Sequence, residues 1–589
     1  MDLRVPDTSK PEPGALFTSP RRVRKWLKEL PVVNIGETAR QFYRGLRDAN
    51  RLEIPARDRL EIMEAMRPTA RFVLDHLRRH VVSRALPLPS KARRIVQLNQ
   101  SLLYEMASGY KLALIRATEG RERLDTGHTA LAVHRALRYT EQILFTWAEV
   151  YMAASPRLWQ DIHRLYDIAE RRELERYQVA DQEHAVVDRS SVTEVYLHVN
   201  LLFLCEPHAL HLGEADRLLA FFERVCRHCS VAYQAAPDAT GGVVFVRLEE
   251  AAPPKRVDAA DVPRAGDVRF LQIAPVIDAL KEEVQRGERA RPREKGTLSA
   301  DLARRVLKHL TEQPRRRFSR SRRDDQVPVA LGIRNIQEAI LAETGDPHGV
   351  QDERGSQEPE REALHMEPKH GDFLDDSRSE EVSHDLWDRV ARGNVTTGLF
   401  TAPSLGDSGE HTRTTATRRG PSWQYWHVCN ASAGGYCLLW DAEEASRAQI
   451  GELVGIRERG EHHWRTGVIR WMRYQEGRGL EVGVETISPW ALPVTLQYAD
   501  INKALVTPIE GLLLPALRNV KQPATVLTPL NQFRAGDEVI ISLYGRENRV
   551  TLTVVERNTS FFTQFQYTNQ RRPKLSQDTD TFDSLWSDL

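Results

Sequence analysis

The chain predicts a multidomain α+β protein. Its parts are a solenoid-like N-terminal α-helical array, a small α+β connector, a β-barrel domain interrupted by a long disordered insertion, and a small C-terminal β-domain. Three observations lead there. Apolar residues fall at helical spacing from about 34 to 235 and change to strand-like alternation in the second half. Between the β segments lies an acid-rich stretch with too few aromatic residues to bury a core. At 589 residues the chain also exceeds what one core serves, and about three to five domains is the expected division.

Composition removes several function classes. Charged residues make up 28% of the chain, yet the formal net charge is only +1. No global field therefore draws it to nucleic acid or membrane, and local patches must carry any electrostatic argument. The first twenty residues are polar and Pro-rich without an apolar core, which argues against a secretory signal. No apolar run reaches the roughly 18 residues a spanning helix needs. Five scattered cysteines favour a reducing compartment over a disulfide framework. The expected location is the cytoplasm.

Taken in order, residues 1–33 read as a loose segment and 34–235 as the helical domain. Within 157–171, Trp159, Ile162, Tyr166 and Ala169 recur on one face, and similar stripes occupy 56–82, 91–117 and 129–154. Pro87, Pro89, Gly120 and Pro156 punctuate the links. A faint tetratricopeptide-like pattern lacks a strict 34-residue period, so ordinary helix packing is the reading. The connector, 236–295, has strand-like 241–246 and 268–273 and helical spacing over 276–284.

Segment 296–342 holds a helix at 298–310, an arginine cluster from Arg315 to Arg320, and a strand at 327–333. Residues 343–421 form the disordered acidic insertion, because such a composition cannot offset its ordering entropy. Order returns over 422–500, with strands at 423–429, 436–440, 453–458, 464–475 and 479–486. The last two form a hairpin around a glycine-bearing turn. The C-terminal β-domain, 501–570, has strands at 524–527, 538–543, 550–556 and 561–566, and 571–589 is a polar tail.

Asn430-Ala431-Ser432-Ala433-Gly434-Gly435 stands between two of these strands. A short amide, a hydroxyl and glycines at a strand corner offer donors, acceptors and open backbone to a ligand. Upstream, Arg316 and Arg320 are four apart with Arg317 between them. Guanidinium groups fork onto phosphate oxygens and onto the acceptor edge of guanine, and they stack on purine faces. Each signal alone is weak: arginine pairs four apart are common on solvated helix faces, and such corners are common in β-proteins.

In this order, with the following strand and the hairpin from Gly467 to Glu485, they resemble the PilZ domain. The resemblance covers 314–339 and 423–493. It implies a six-stranded β-barrel that binds the bacterial messenger cyclic di-GMP, often as an intercalated pair. Arg316 and Arg320 would then hold phosphate and guanine, Arg317 would assist, and Asn430 and Ser432 would hydrogen-bond from the barrel while Gly435 permits close approach. The departure is spacing, since about 110 residues separate Arg320 from Asn430. An inserted loop is tolerable, because closure cost grows only logarithmically with length. Its acidic middle could compete with phosphate for the arginines. A rival register would use Arg413, Arg418 and Arg419, nearer in sequence to Asn430.

Other signals are weaker. Cys226-Arg227-His228-Cys229 is a single C-x-x-C inside a helical stripe, and structural zinc sites usually show two ligand pairs. No metal is expected. No P-loop, dinucleotide fingerprint, nucleophile elbow or zincin motif occurs, nor any motif for making or degrading the messenger. The leading expectation is a non-enzymatic cyclic di-GMP effector of motility or biofilm regulation whose helical domain engages a protein partner. A ligand-free adaptor with a PilZ scaffold is the alternative. An RNA-binding regulator is a weaker third, lacking a stacking motif and a basic charge balance.

Overall fold

The computed structural model describes residues 3–81, 86–118, 122–181, 186–235, 242–258, 261–262, 266–287, 297–312, 318–344, 422–442, 444–500, 507–516 and 522–569. Eight helices build the N-terminal half: α1 (Pro20–Glu29), α2 (Ile35–Asn50), α3 (Ala56–Arg79), α4 (Ser90–Thr118), α5 (Thr126–Glu149), α6 (Pro156–Arg171), α7 (Val192–Leu204) and α8 (Glu214–Val225). A two-stranded hairpin, β1 (Val179–Ala180) with β2 (Arg189–Ser190), lies between α6 and α7. The helices begin where the sequence supplies caps. Asp125 accepts from the His128 N–H ahead of α5, and Ser191 with Glu194 makes a full capping box for α7.

The first residues are not loose. Ser19-Pro20 opens α1 with proline in its first turn, Val23 is fully buried, and Trp26 packs edge-on to Phe17 with ring centroids 5.2 Å apart. The apolar stripe is short, but it has a groove to fill against α2 and α3. The helical core also buries charge in pairs. Arg67 and Arg135 share Asp181 at 2.7 and 2.9 Å, and Lys111 meets Asp161 at 2.6 Å.

The connector forms a four-stranded sheet in the order β3 (Ser230–Ala232), β6 (Val268–Gln272), β4 (Val243–Arg247), β5 (Lys255–Val257), followed by α9 (Ala274–Gly287) and α10 (Ala300–Thr311). Two closed six-stranded barrels follow among the described residues. The first contains β7 (Ser321–Leu331), β8 (Gln424–Ser432), β9 (Gly435–Trp440), β10 (Leu453–Ile456), β11 (Arg465–Gln475) and β12 (Gly479–Ser488). The second contains β13 (Leu492–Tyr498), β14 (Ile509–Leu514), β15 (Thr525–Pro529), β16 (Glu538–Leu543), β17 (Arg546–Asn558) and β18 (Phe562–Asn569).

This corrects one allocation. The stretch 492–498, expected within a first barrel running to residue 500, is β13 and pairs with β14 and β16 of the second barrel. The first barrel closes without it, through β10 pairing with β7. The first strand is also longer than expected, beginning at Ser321, and Gly332 turns it into α11 (Ile333–Thr344). Helix α11 wedges between the barrels. Ile336 and Ala339 share a core with Leu453 and Trp464 of one and Leu512 and Phe562 of the other. Gln337 donates to the Val494 carbonyl at 2.7 Å. The expected insertion lies, apart from its first two residues, at 345–421, outside the described residues together with the tail.

The helical half docks on the first barrel. The Tyr474 N–H donates to the Tyr151 carbonyl at 2.8 Å, and the Ser446 N–H to the Leu86 carbonyl at 2.8 Å. One contiguous buried cluster runs from the helices into that barrel's interior, reaching Trp426 and Leu438.

Glu452, between β10 and the turn before it, makes a testable contribution to stability. Burial pushes its carboxyl up to about 7. Unfolded, the same group titrates near 4.5, so the native state holds the proton more tightly. Stability therefore falls as pH rises from about 4.5 through 7, and the cost is complete above that window. At pH 8 Glu452→Gln is expected to raise stability by about 2–4 kcal/mol. The gain should vanish below pH ~4.5 in thermal melts across the range.

Candidate ligand cleft at the strand corner

The N-x-S-x-x-G corner is the β8–β9 turn. Ser432 pairs with Gly435 across it, and the Ser432 hydroxyl donates to the Gly435 carbonyl at 3.3 Å. Gly435 has φ +154°, and a Cβ there would land on the Val484 carbonyl of β12. Only glycine lets β9 approach β12 so closely. The Thr486 N–H closes the corner from β12, donating to the Gly434 carbonyl at 3.1 Å.

Strand pairing brings the arginine segment to this corner. Ser321 stands opposite Ala431, and Arg322 opposite Asn430. The Phe318 ring covers Gly434, where a Cβ would meet it. Arg320 is therefore held beside the corner despite the distance in sequence. Arg316 and Arg317 lie outside the described residues, as do Arg413, Arg418 and Arg419 of the rival register.

Arg320 and Asn430 line one cleft of about 1340 Å³. Ser432 and Gly435 are not among its lining residues; they shape the turn behind it. The barrel supplies one wall through the outer faces of β7, β8, β9, β11 and β12. The helical half and the connector supply the other, through Pro156 and Trp159 of α6, Phe203 of α7, the turn at 206–209 and the connector stretch at 251–253 between β4 and β5.

Charge in the cleft is not evenly neutralised. Arg323 is held by Asp325 at 2.6 Å and Glu458 at 3.1 Å, which lie on the first barrel. Among the described residues no carboxylate pairs with exposed Arg320. Farther along the same barrel wall, Arg473 and Arg478 both lean on the buried Glu481, at 2.5 and 3.0 Å. One carboxylate is shared by two guanidiniums there, and the cleft lining as a whole holds five arginines against four carboxylates, Glu206, Asp324, Asp441 and Glu481. Trp471 of β11 lies flat on Gly483, whose missing side chain makes room for the indole. The cleft thus offers guanidinium forks for phosphate, an aromatic ring and an amide for a planar base.

Sequence reasoning missed Arg322, Trp471 and Arg473. Trp471 and Arg473 alternate on β11, a signal readable as one strand face once that strand's neighbours are known. The helical wall gave no signal, being assembled from segments far apart in sequence. The C-x-x-C motif lies at the end of α8, and no group of three metal-binding side chains occurs among the described residues. No helix among them is long and apolar enough to cross a membrane.

A closed six-stranded barrel bearing this corner and preceded by this arginine segment is a PilZ domain, the family to which the first barrel belongs. The matching family models are more particular. They are described as the N-terminal domain of cyclic-di-GMP receptor FimW over residues 21–237, its middle PilZ domain over 243–493, and the FimW C-terminal β-barrel domain over 497–570. Cyclic-di-GMP receptor FimW of Pseudomonas aeruginosa is 27% identical over 610 residues, an alignment covering 100% of this chain and 99% of the relative. No solved structure matches the chain.

Proposed function

We propose that this protein is a non-enzymatic cyclic di-GMP receptor of the cytoplasm that passes messenger binding at the first barrel to a protein partner of the helical domain. The observation that carries the reading is the meeting of Arg320 and Asn430 in one cleft through β7–β8 pairing. The full-length likeness to a protein named as a cyclic-di-GMP receptor supports the same ligand. In this reading Arg316 and Arg320, assisted by Arg317, clamp phosphate and guanine, Asn430 binds from the corner, and Ser432 and Gly435 hold the turn that presents it.

Two domains wall the cleft, so ligand in it bridges the barrel and the helical half. That contact changes their arrangement only to the extent that the ligand prefers one arrangement over the other. A surface altered on the helices is then what the partner reads. The competing scaffold reading keeps the barrel and gives up the ligand.

Calorimetric titration of cyclic di-GMP into the full chain separates the two. Wild type is expected to bind, and Asn430→Ala to bind about tenfold more weakly, the worth of one hydrogen bond. A silent wild type would favour the scaffold.

A further inference from the structure

All five cysteines are free thiols, and four of them stand in two pairs. One pair is the Cys226/Cys229 motif at the end of α8. The other, Cys429 with Cys437, faces the ligand cleft.

Backbone register brings this second pair together. Pairing between β8 and β9 steps from Val428 opposite Leu438 to Asn430 opposite Cys437, leaving Cys429 as an extra residue. In such a bulge two residues of one strand oppose a single residue of the other. Strict alternation would send Cys429 and Asn430 to opposite faces, yet both line the cleft with Cys437. The two thiols lie close enough to act on each other. Opposed residues on antiparallel strands stand about 4.5–5.5 Å apart between Cα atoms, inside the roughly 4.4–6.8 Å span of disulfides. Burial, with Cys429 beside it, pushes the Cys437 thiol up to about 12, while the Arg320 guanidinium acts the other way.

We propose that Cys429 and Cys437 are a redox-sensitive dithiol whose oxidation to a disulfide weakens ligand binding in the cleft. The coupling rests on the reading of that cleft as the cyclic di-GMP site. The oxidant is a peroxide. Cys429 is the less buried of the two; its thiolate attacks one peroxide oxygen, breaking the O–O bond and leaving a sulfenic acid and hydroxide, which takes the proton released by the thiol and becomes water. The Cys437 sulfur then attacks the Cys429 sulfur, forming the S–S bond and expelling the sulfenic oxygen as a second water. Two thiols lose two electrons and two protons, and the peroxide gains both.

The bridge draws Cys429 onto Cys437 and so reshapes the bulge that, in the reduced chain, turns the adjacent Asn430 into the cleft. Arg320, close enough to act on the Cys437 thiol, faces the same spot. Ligand spanning Arg320 and Asn430 would cover both sulfurs, so binding and oxidation oppose each other.

The test treats the full chain with hydrogen peroxide, maps cysteine linkages by mass spectrometry, and titrates cyclic di-GMP into the same samples. A Cys429–Cys437 linkage is expected, with the dissociation constant raised about tenfold and restored by dithiothreitol. Saturating ligand should slow the linkage. In Cys429→Ser and Cys437→Ser, oxidised and reduced affinities should be equal, whatever each variant's own starting affinity. Linkage of Cys226 to Cys229 while Cys429 and Cys437 stay reduced would overturn the dithiol. A linked chain that binds as tightly as the reduced one would overturn the coupling. A reduced wild type that binds no ligand would sink the assignment of the cleft itself, an outcome the linkage map leaves distinguishable.

Discussion

Arg316→Ala combined with Arg320→Ala in the full chain is expected to weaken cyclic di-GMP binding at least about a hundredfold. Hydrogen bonds to charged groups contribute about 1.5–3 kcal/mol each, and two lost together reach that factor at the low end. Arg320 is exposed and lies beyond the start of β7, so the fold should be untouched and the melting curve unchanged. Arg320→Lys discriminates further. Lysine keeps the charge but loses the planar fork, so partial recovery would mark a phosphate contact and no recovery a contact to the guanine edge. Binding that survived loss of both arginines would move the clamp to Arg418 and Arg419.

Gly435→Ala is expected to destabilise the first barrel by about 3 kcal/mol or more. The new Cβ would fall on the Val484 carbonyl, a backbone atom that cannot swing aside as a side chain can. Tyr436 pairs with Val484 and Gly435 with Glu485, so relief requires parting β9 from β12 at the corner. Gly434→Ala supplies the contrast. Its Cβ would meet only the Phe318 ring, which is exposed and free to turn, so the cost should stay within about 1 kcal/mol. Denaturant unfolding of both variants checks the ordering, and equal effects would mean that the corner is softer than its pairing implies.

How far these features were readable follows from the range of the forces behind them. The helical stripes around Trp159 and Tyr166 and the hairpin at Gly477–Gly479 are local patterns, visible without knowing what they pack on. The meeting of Arg320 with the corner was readable only through resemblance, because nothing in either segment encodes the register that joins Arg322 to Asn430. Residues 492–498 continue the β pattern of β12 in sequence, and only barrel closure reveals that they belong elsewhere. Helix α11 does carry apolar residues at helical spacing, Ile333, Ile336 and Ile340, but that it fills a gap between two barrels is visible only in the packing. The bulge at Cys429 leaves no composition signal, so the cysteines eight apart read as ordinary strand residues. The helical wall of the cleft is tertiary throughout.

The path of β7 gives the long sequence gap a different meaning. Arg320 precedes one end of that strand, while α11 leaves from the other end, and the chain returns at Gln424, opposite Val329. The return of the chain after residues 345–421 thus sits at the far end of β7, and α11, which precedes them, leaves from that same end, eleven residues and about 35 Å of strand from the corner. The inserted stretch is spliced in like the loop of a stem, with β7 and β8 as the stem and the clamp at its opposite tip. Its length can drift over generations while the distance between Arg320 and Asn430 stays set by strand pairing alone.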